Sequence, residues 1–399
     1  MMFFSDPPAP SAARPDLASE RLRTEGHRGL ENETGANHCF LNVVIQALWN
    51  LQSFRRRLLR APWHQHEAHE VDGKYEQGIS SSSSSCCYCA LKSVFKDFAS
   101  SDADTIPPDA LRQALSSVYD AKGRFKTGEM EDATETIEAI LGILHAANVE
   151  PLLIPRGIDQ GSGKGGSGRL ESAELVEEAS DFGCHPLCLA HEVFGLEYVD
   201  FARCSFCGAT GEPSAAASYV YNAYVTELER PSDPSTGSLL DMLRAPRRPF
   251  SEVLRQLCQT EEGKNCCECN SRKTMKTERW LTRRPKTFIL SLVWPSSSPS
   301  RDLLWLILSM IQPTLRMEEI FQIASSNSCT SSTTEASPAS ASAERSAERS
   351  TSLYSFHGMI CYCGMHYVAV FWCPARRRWI FSMIPVLKRR QIGAPWPIS

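Results

Sequence analysis

The chain lacks a membrane-length apolar run: its longest, Leu303–Ile311, is about half of the ~20 residues a spanning helix requires. It also lacks a charge excess, since 42 Lys and Arg stand against 46 Asp and Glu, for a net charge of -4. Such a balance offers no polyanion-binding face to nucleic acid or to an anionic membrane surface. The opening MMFFSDPPAPSAARPD has neither the basic flank nor the long apolar core of a secretory signal. These absences point to a cytoplasmic or nuclear protein with no nucleic-acid or membrane partner. Thiols stay reduced there, which argues against a disulfide framework. Yet cysteine is plentiful, at 16 in 399 residues, and the uses that remain are metal binding and catalysis.

With 42% hydrophobic and 22% charged residues, the composition is that of an ordinary soluble globular chain. Its length allows two or three domains, or one large catalytic domain with inserts. Residues 1–27, rich in Pro, Ala, Arg and Ser, read as a disordered tail, and ordered sequence begins at Gly29. From Cys39, FLNVVIQALWNLQSFRRRLL reads as one helix, with Leu41, Ile45, Leu48, Phe54 and Leu58 as its buried stripe. Arg55, Arg56 and Arg57 fall in its last turns, where cations suit the helix dipole. Further helical patterns cover Cys89–Phe98, the stretch after Pro107 and Pro108, and Met130–Leu144. From 194 to 300 the pattern changes to short β-rich runs such as SYVYNAYVTEL and KTFILSLVW, and SLYSFHGMICYCGMHYVAVFW gives two more. Ser80–Ser85, the Gly/Ser-rich insertion 155–170 and the linker 324–352 hold no packing residues. A helical half followed by a sheet-rich half predicts an α+β enzyme with disordered insertions.

Cys39 stands directly before a helix. The helix N-terminus carries partial positive charge and free N–H groups, which favour a thiolate and can hold an oxyanion. A buried structural cysteine is the other reading, since free Cys is among the most buried residue types. A thiolate nucleophile needs a base. His366, in Gly364-Met365-His366-Tyr367 at the start of a strand, is the best placed; a packed strand histidine is its alternative.

Cys204-Ser-Phe-Cys207 and Cys266-Cys-Glu-Cys269 supply two C-x-x-C pairs. Four thiolates are a tetrahedral structural zinc set, and the pairs fit two knuckles at the tips of adjacent hairpins. Unligated thiols are the alternative. Cys86 and Cys89 repeat the spacing without a partner pair nearby and read as structural. His64, His66 and His69 sit in a polar stretch with no cysteine pair close enough in sequence to share a metal.

Taken together, GLENETGANHCFLNVVIQALWNL, GEMEDATETIEAILGILH with its Asp132-Ala133 step and Glu135, the two C-x-x-C pairs, RRPKTFILSLVW and YCGMHYVAVFW resemble five blocks of the ubiquitin-specific protease family, in the right order. The N-E-x-G-x-N-x-C-F-L-N form of the first block is similar to a divergent branch that includes plant ubiquitin-hydrolase-related proteins. The resemblance implies a papain-like hand over 28–399. Its helical thumb spans about 28–150, its zinc-binding β fingers about 200–280, and a truncated palm runs to 399. It implies ubiquitin as partner, Cys39 as nucleophile, His366 as base and a structural zinc on Cys204, Cys207, Cys266 and Cys269. The expected activity is hydrolysis of isopeptide or peptide bonds at the C-terminal glycine of ubiquitin. An inactive ubiquitin-binding pseudoenzyme and a zinc-stabilised interaction scaffold are the alternatives.

Two departures bear on activity. The family places an oxyanion-binding Asn five residues before the nucleophile; Thr34 stands there, with Asn37 and Asn32 near it. Losing one oxyanion donor costs about 100- to 1000-fold in rate. The family also places an Asp or Asn after the His strand to orient the imidazole, but no carboxylate follows Trp379. One codon choice for Phe381-Ser382-Met383-Ile384, read two bases later, encodes Phe-Asp-Asp. Reading the transcript across that junction tests whether the frame is shifted.

Overall fold

The structure is a computed structural model. It describes residues 1–6, 29–64, 86–153, 184, 187–225, 249–258, 265–272, 275–294, 296, 298–323, 353–373 and 377–382, with backbone only over 148–153, 257–258 and 382. In chain order the described helices are α1 (Cys39–Asn50), α2 (Gln52–Arg60), α3 (Cys87–Ser100), α4 (Asp109–Val118), α5 (Ala133–Leu153), α6 (Leu189–Phe194), α7 (Phe250–Cys258), α8 (Arg301–Met310) and α9 (Met317–Ile320). The described strands are β1 (Met2–Ser5), β2 (Gly29–Leu30), β3 (Thr105–Ile106), β4 (Leu196–Cys204), β5 (Ser214–Ser218), β6 (Val220–Tyr224), β7 (Met275–Arg283), β8 (Thr287–Val293), β9 (Thr314–Arg316), β10 (Gln322–Ile323), β11 (Leu353–Cys363), β12 (His366–Cys373) and β13 (Arg378–Ser382). The chain divides into two compact units, Ser11–Val193 with Gly358–Ser399, and Met1–Pro10 with Phe194–His357.

The first of these units is built around α1. Every residue from Cys39 to Trp49 is buried, so the helix has no solvent face and acts as core rather than as an amphipathic cover. It packs against α5 on the helical side and β12 on the sheet side. Trp49 stacks on Phe98, with ring centroids 5.0 Å apart, and meets Phe95 edge-on at 5.3 Å. Such pairs add about 0.5–1.5 kcal/mol beyond their buried area. The single helix expected from Cys39 onward is in fact two. Leu51, extended at φ -79° and ψ 98°, breaks it, because burying Leu51 and Phe54 together requires the chain to turn. The carbonyls at the end of α2 are capped by Lys92 of α3. Its buried ammonium donates to Leu58 at 2.6 Å, Leu59 at 3.0 Å and Ala61 at 2.6 Å, a cation placed where the helix dipole favours one. On the sheet side β11, β12 and β13 pair antiparallel. Gly364 and Met365 join β11 to β12 with φ of 58° and 64°, the two left-handed residues a tight hairpin of matching twist requires.

The other unit holds β1, β8 and β6 side by side, with β1 antiparallel and β6 parallel to β8. It also holds β4 between β5 and β7, with β10 on the far edge of β7. Here one expectation fails: Met2–Ser5 belongs to no loose tail. Met2, Phe3 and Phe4 are buried and pair with Leu290, Ile289 and Phe288, because three apolar residues beside an apolar strand gain more from burial than they lose in chain entropy. The rest of that expected tail, residues 7–27, lies outside the described residues, as do Ser80–Ser85, 155–170 and 324–352. The apolar run Leu303–Ile311 forms α8, whose Leu303 and Ile307 pack with Val225. Among the described residues no helix is long and apolar enough to cross a membrane.

Candidate active site

Cys39 is the first residue of α1, with His38 as the preceding cap residue. Two segments shape its surroundings. In the loop before it, Ala36 N donates to Glu33 O at 3.0 Å, while Gly35 and Asn37 take φ of 88° and 52°. His38 N donates to Asn32 Oδ1 at 2.8 Å, which fixes the Asn32 carboxamide. Asn42 Nδ2, one turn into the helix, donates back to Glu31 O at 3.0 Å. The second segment is 126–130. Asn37 Nδ2 donates to Gly128 O at 2.7 Å. Beneath, the buried Arg112 donates to the carbonyls of Lys126 and Glu129, with its guanidinium 4.7 Å from the Phe40 ring centroid. Burial holds the Arg112 pKa below its ordinary value, and burial likewise lowers that of the neighbouring His38.

Met130 closes this loop over the thiol. Its Sδ lies 3.7 Å from Cys39 Sγ, and Cys39 is 2% exposed. Of the two oxyanion candidates, Asn37 has one amide hydrogen committed to Gly128, and Thr34 is exposed in the turn.

His366 opens β12, the strand packed on α1. Its ring is exposed and makes no hydrogen bond to Cys39 or to any carboxylate among the described residues. The next residue ties the strand down. Tyr367 Oη donates to Asp132 Oδ2 at 3.1 Å, while Asp132 Oδ1 accepts from Thr134 N at 2.7 Å and Glu135 N at 3.1 Å. Asp132 therefore caps α5 and anchors the histidine strand at once. Burial, then the Asp132 carboxylate, pushes the Tyr367 hydroxyl pKa up. Glu138, one turn into α5, is raised to about 7 by burial and then by Glu135 and Asp132.

The C-x-x-C pairs lie in the other unit. Cys204 ends β4 and Cys266 precedes β7, and each opens a knuckle. Gly208 N donates to Cys204 O and Asn270 N to Cys266 O, both at 3.0 Å, with Gly208 and Asn270 at φ 77° and 53°. The four sulfurs converge, with Cys204–Cys269 at 3.8 Å and Cys207–Cys266 at 3.6 Å. Zn–S bonds of 2.3 Å imply a tetrahedral edge of about 3.8 Å, so this set fits a metal ion.

Two clusters went unforeseen in the sequence. His64, Cys86 and Cys89 come together, with Cys86 Sγ 3.4 Å from His64 Nδ1 and the His64 ring stacked on Tyr88 at 4.1 Å. The expectation that His64 has no cysteine pair near it is thus corrected, while His66 and His69 lie outside the described residues: Tyr88 Oη donates to Pro62 O at 2.7 Å and folds the end of that segment onto α3. His145, Cys184, Cys188 and His191 form the second cluster. Its signal, C-x-x-x-C-x-x-H in CHPLCLAH, was legible but had no visible fourth member.

The family model described as "Ubiquitin carboxyl-terminal hydrolase" matches residues 28–382. Ubiquitin carboxyl-terminal hydrolase 54 of Rattus norvegicus is 27% identical over 377 residues, covering 92% of this chain and 19% of its own length. Ubiquitin carboxyl-terminal hydrolase 53 of Homo sapiens is 26% identical over 373 residues, covering 92% of this chain and 28% of its own. The chain therefore spans less than a third of the curated relatives it matches. Among solved structures, the SAGA DUB module of Ubp8, Sgf11, Sus1 and Sgf73 bound to monoubiquitin matches with TM-score 0.50 at 14% identity, over 90% of this chain and 64% of that one. The module bound to ubiquitin aldehyde matches with TM-score 0.50 at 15% identity over the same shares. These solved structures share the fold, the family model spans most of the length, and the chain belongs to the ubiquitin carboxyl-terminal hydrolase family.

Proposed function

We propose that this chain is a cysteine-type deubiquitinase whose substrate is ubiquitin joined through its C-terminal glycine to a lysine or to another chain. The observation that carries this reading is a cysteine at the N-terminus of a helix buried from Cys39 to Trp49, packed against the strand that begins with His366. In the reaction, Met130 swings aside and His366 takes the thiol proton. The Cys39 sulfur then attacks the glycine carbonyl carbon. The tetrahedral intermediate collapses to an acyl-enzyme as His366 donates the proton to the leaving amine. Water, deprotonated by His366, then releases ubiquitin's carboxylate and restores the thiol.

The oxyanion would be held by backbone N–H groups at the start of α1, with the side-chain amide of Asn37 as a donor through its second hydrogen and Thr34 further out on the turn. The Asn32 carboxamide, fixed by His38 N, is a third candidate. Cys204, Cys207, Cys266 and Cys269 would hold a structural zinc that locks two knuckles together. Residues 28–399 constitute the catalytic domain in this reading, acting in the cytoplasm or nucleus, where Cys39 stays reduced.

One feature favours a second reading, a ubiquitin-binding pseudoenzyme: among the described residues no carboxylate orients His366. The experiment is incubation of the wild-type protein and Cys39→Ala with ubiquitin carrying a thiol-reactive C-terminal group. A mass gain of one ubiquitin on wild type alone is the expected result. Folded wild type that binds ubiquitin without gaining mass would establish the pseudoenzyme, and failure to bind ubiquitin at all would leave a scaffold.

A further inference from the structure

We infer that His145, Cys184, Cys188 and His191 form a second structural zinc site, separate from the four-cysteine knuckles. Their ligand atoms all lie within 4.8 Å of one another. Cys188 Sγ is 3.4 Å from His145 Nδ1 and 3.3 Å from His191 Nδ1, and Cys184 Sγ is 3.3 Å from His191 Nδ1. Zn–S of 2.3 Å and Zn–N of 2.0–2.1 Å give a tetrahedral S···N edge of about 3.5 Å. The two imidazoles stand nearly perpendicular, at 85° with centroids 4.5 Å apart, so both rings aim at one point instead of stacking.

Charge and burial agree with a metal. His145, Cys188 and His191 are 4%, 1% and 2% exposed. Two thiolates and two neutral imidazoles around a divalent zinc sum to zero charge, the one ionised arrangement that costs little to bury. The sulfurs also receive the N–H donors that metal thiolates take as outer partners: Cys188 N donates to Cys184 Sγ at 3.0 Å, and His191 N to Cys188 Sγ at 3.4 Å. The soft sulfur and imidazole set selects zinc over magnesium or calcium.

The site would fasten the chain on both sides of residues 146–183. His145 projects from α5, while Cys188 and His191 lie at and just inside the start of α6. Cross-linking the ends of a loop of about 40 residues removes much of its closure entropy from the unfolded chain. Within it, 155–170 is Gly- and Ser-rich, so the metal would fasten the two sides of a stretch that those residues do not pack. The inference holds whether or not Cys39 is catalytically active.

Zinc per chain, measured by mass spectrometry on the full chain, tests it. Cys188→Ser should carry one equivalent less than wild type, while Cys204→Ser with Cys207→Ser should lose a different equivalent. His191→Cys preserves a ligand, so it should fold and keep the wild-type zinc content. After cobalt substitution its thiolate-to-metal absorption should rise, as two thiolates become three. That variant stands in if Cys188→Ser does not fold. Unchanged zinc in folded Cys188→Ser, or a cobalt spectrum of His191→Cys identical to that of wild type, would overturn the assignment.

Discussion

Asp132 joins two tasks that can be separated by substitution. Its Oδ1 caps the first turn of α5 through the N–H groups of Thr134 and Glu135. Its Oδ2 accepts from Tyr367, the residue after the candidate base. Losing an N-cap costs about 1 kcal/mol, within a range of 0.5–2. The carboxylate's interaction with the helix dipole adds about 0.3–1 kcal/mol, and the hydrogen bond from Tyr367 about 1 kcal/mol. Asp132→Ala should therefore destabilise the fold by about 2–3 kcal/mol. Asp132→Asn keeps a capping oxygen, because Asn is as good a cap as Asp, and should cost under about 1 kcal/mol. Tyr367→Phe alone should cost about 1 kcal/mol, and Asp132→Ala with Tyr367→Phe should cost less than the sum of the two singles by about that amount. Urea unfolding of wild type and the four variants at one pH reads these differences. Turnover of a ubiquitin conjugate by Tyr367→Phe should fall about 5-fold, the equivalent of 1 kcal/mol at the anchored strand. Equal losses in Asp132→Ala and Asp132→Asn would remove the cap from the argument. Strict additivity in the double variant would remove the latch.

Two further expectations follow from the same unit. Glu138 has a folded-state pKa of about 7 against an ordinary 4.5, so its charge opposes folding. That penalty is absent below about pH 4.5 and complete above about pH 7. Glu138→Gln should thus stabilise the protein by about 1–2 kcal/mol at pH 8, after allowance for solvent screening, and leave it unchanged at pH 4; a gain of equal size at both values would mean that charge is not the cause. Gly358, opposite Phe371 on β12, has no room for a side chain: a Cβ there would sit 2.5 Å from Val370 O and 2.7 Å from Phe371 Cε1. Gly358→Ala should cost about 1–3 kcal/mol in thermal or chemical unfolding, and a wild-type midpoint would show that β11 and β12 are not held in this register.

What could be read in advance was what neighbouring residues decide among themselves. The apolar run after Cys39 makes a helix wherever it is buried, Gly364-Met365 makes a tight turn wherever two strands meet, and each C-x-x-C makes its own knuckle. Cys39, His366 and the four knuckle cysteines were therefore legible as residue types in local patterns. The break at Leu51, the Met130 thioether over Cys39 and the Asp132–Tyr367 latch were not, because each depends on residues brought together from distant parts of the chain. The strand Met2–Ser5 was hidden for the same reason: MMFF exchanges water for a sheet only because Thr287–Val293 lies beside it. His64 meets Cys86 across 22 positions, and His145 meets Cys188 across 43. Sequence spacing says nothing of such encounters, since a metal shell is selected by ångströms in space. By itself the sequence determined the family, the candidate nucleophile and base, and one metal set; only tertiary packing decided what covers the thiol, what anchors the histidine strand, and that His64 and His145 are the distant members that complete the two further clusters.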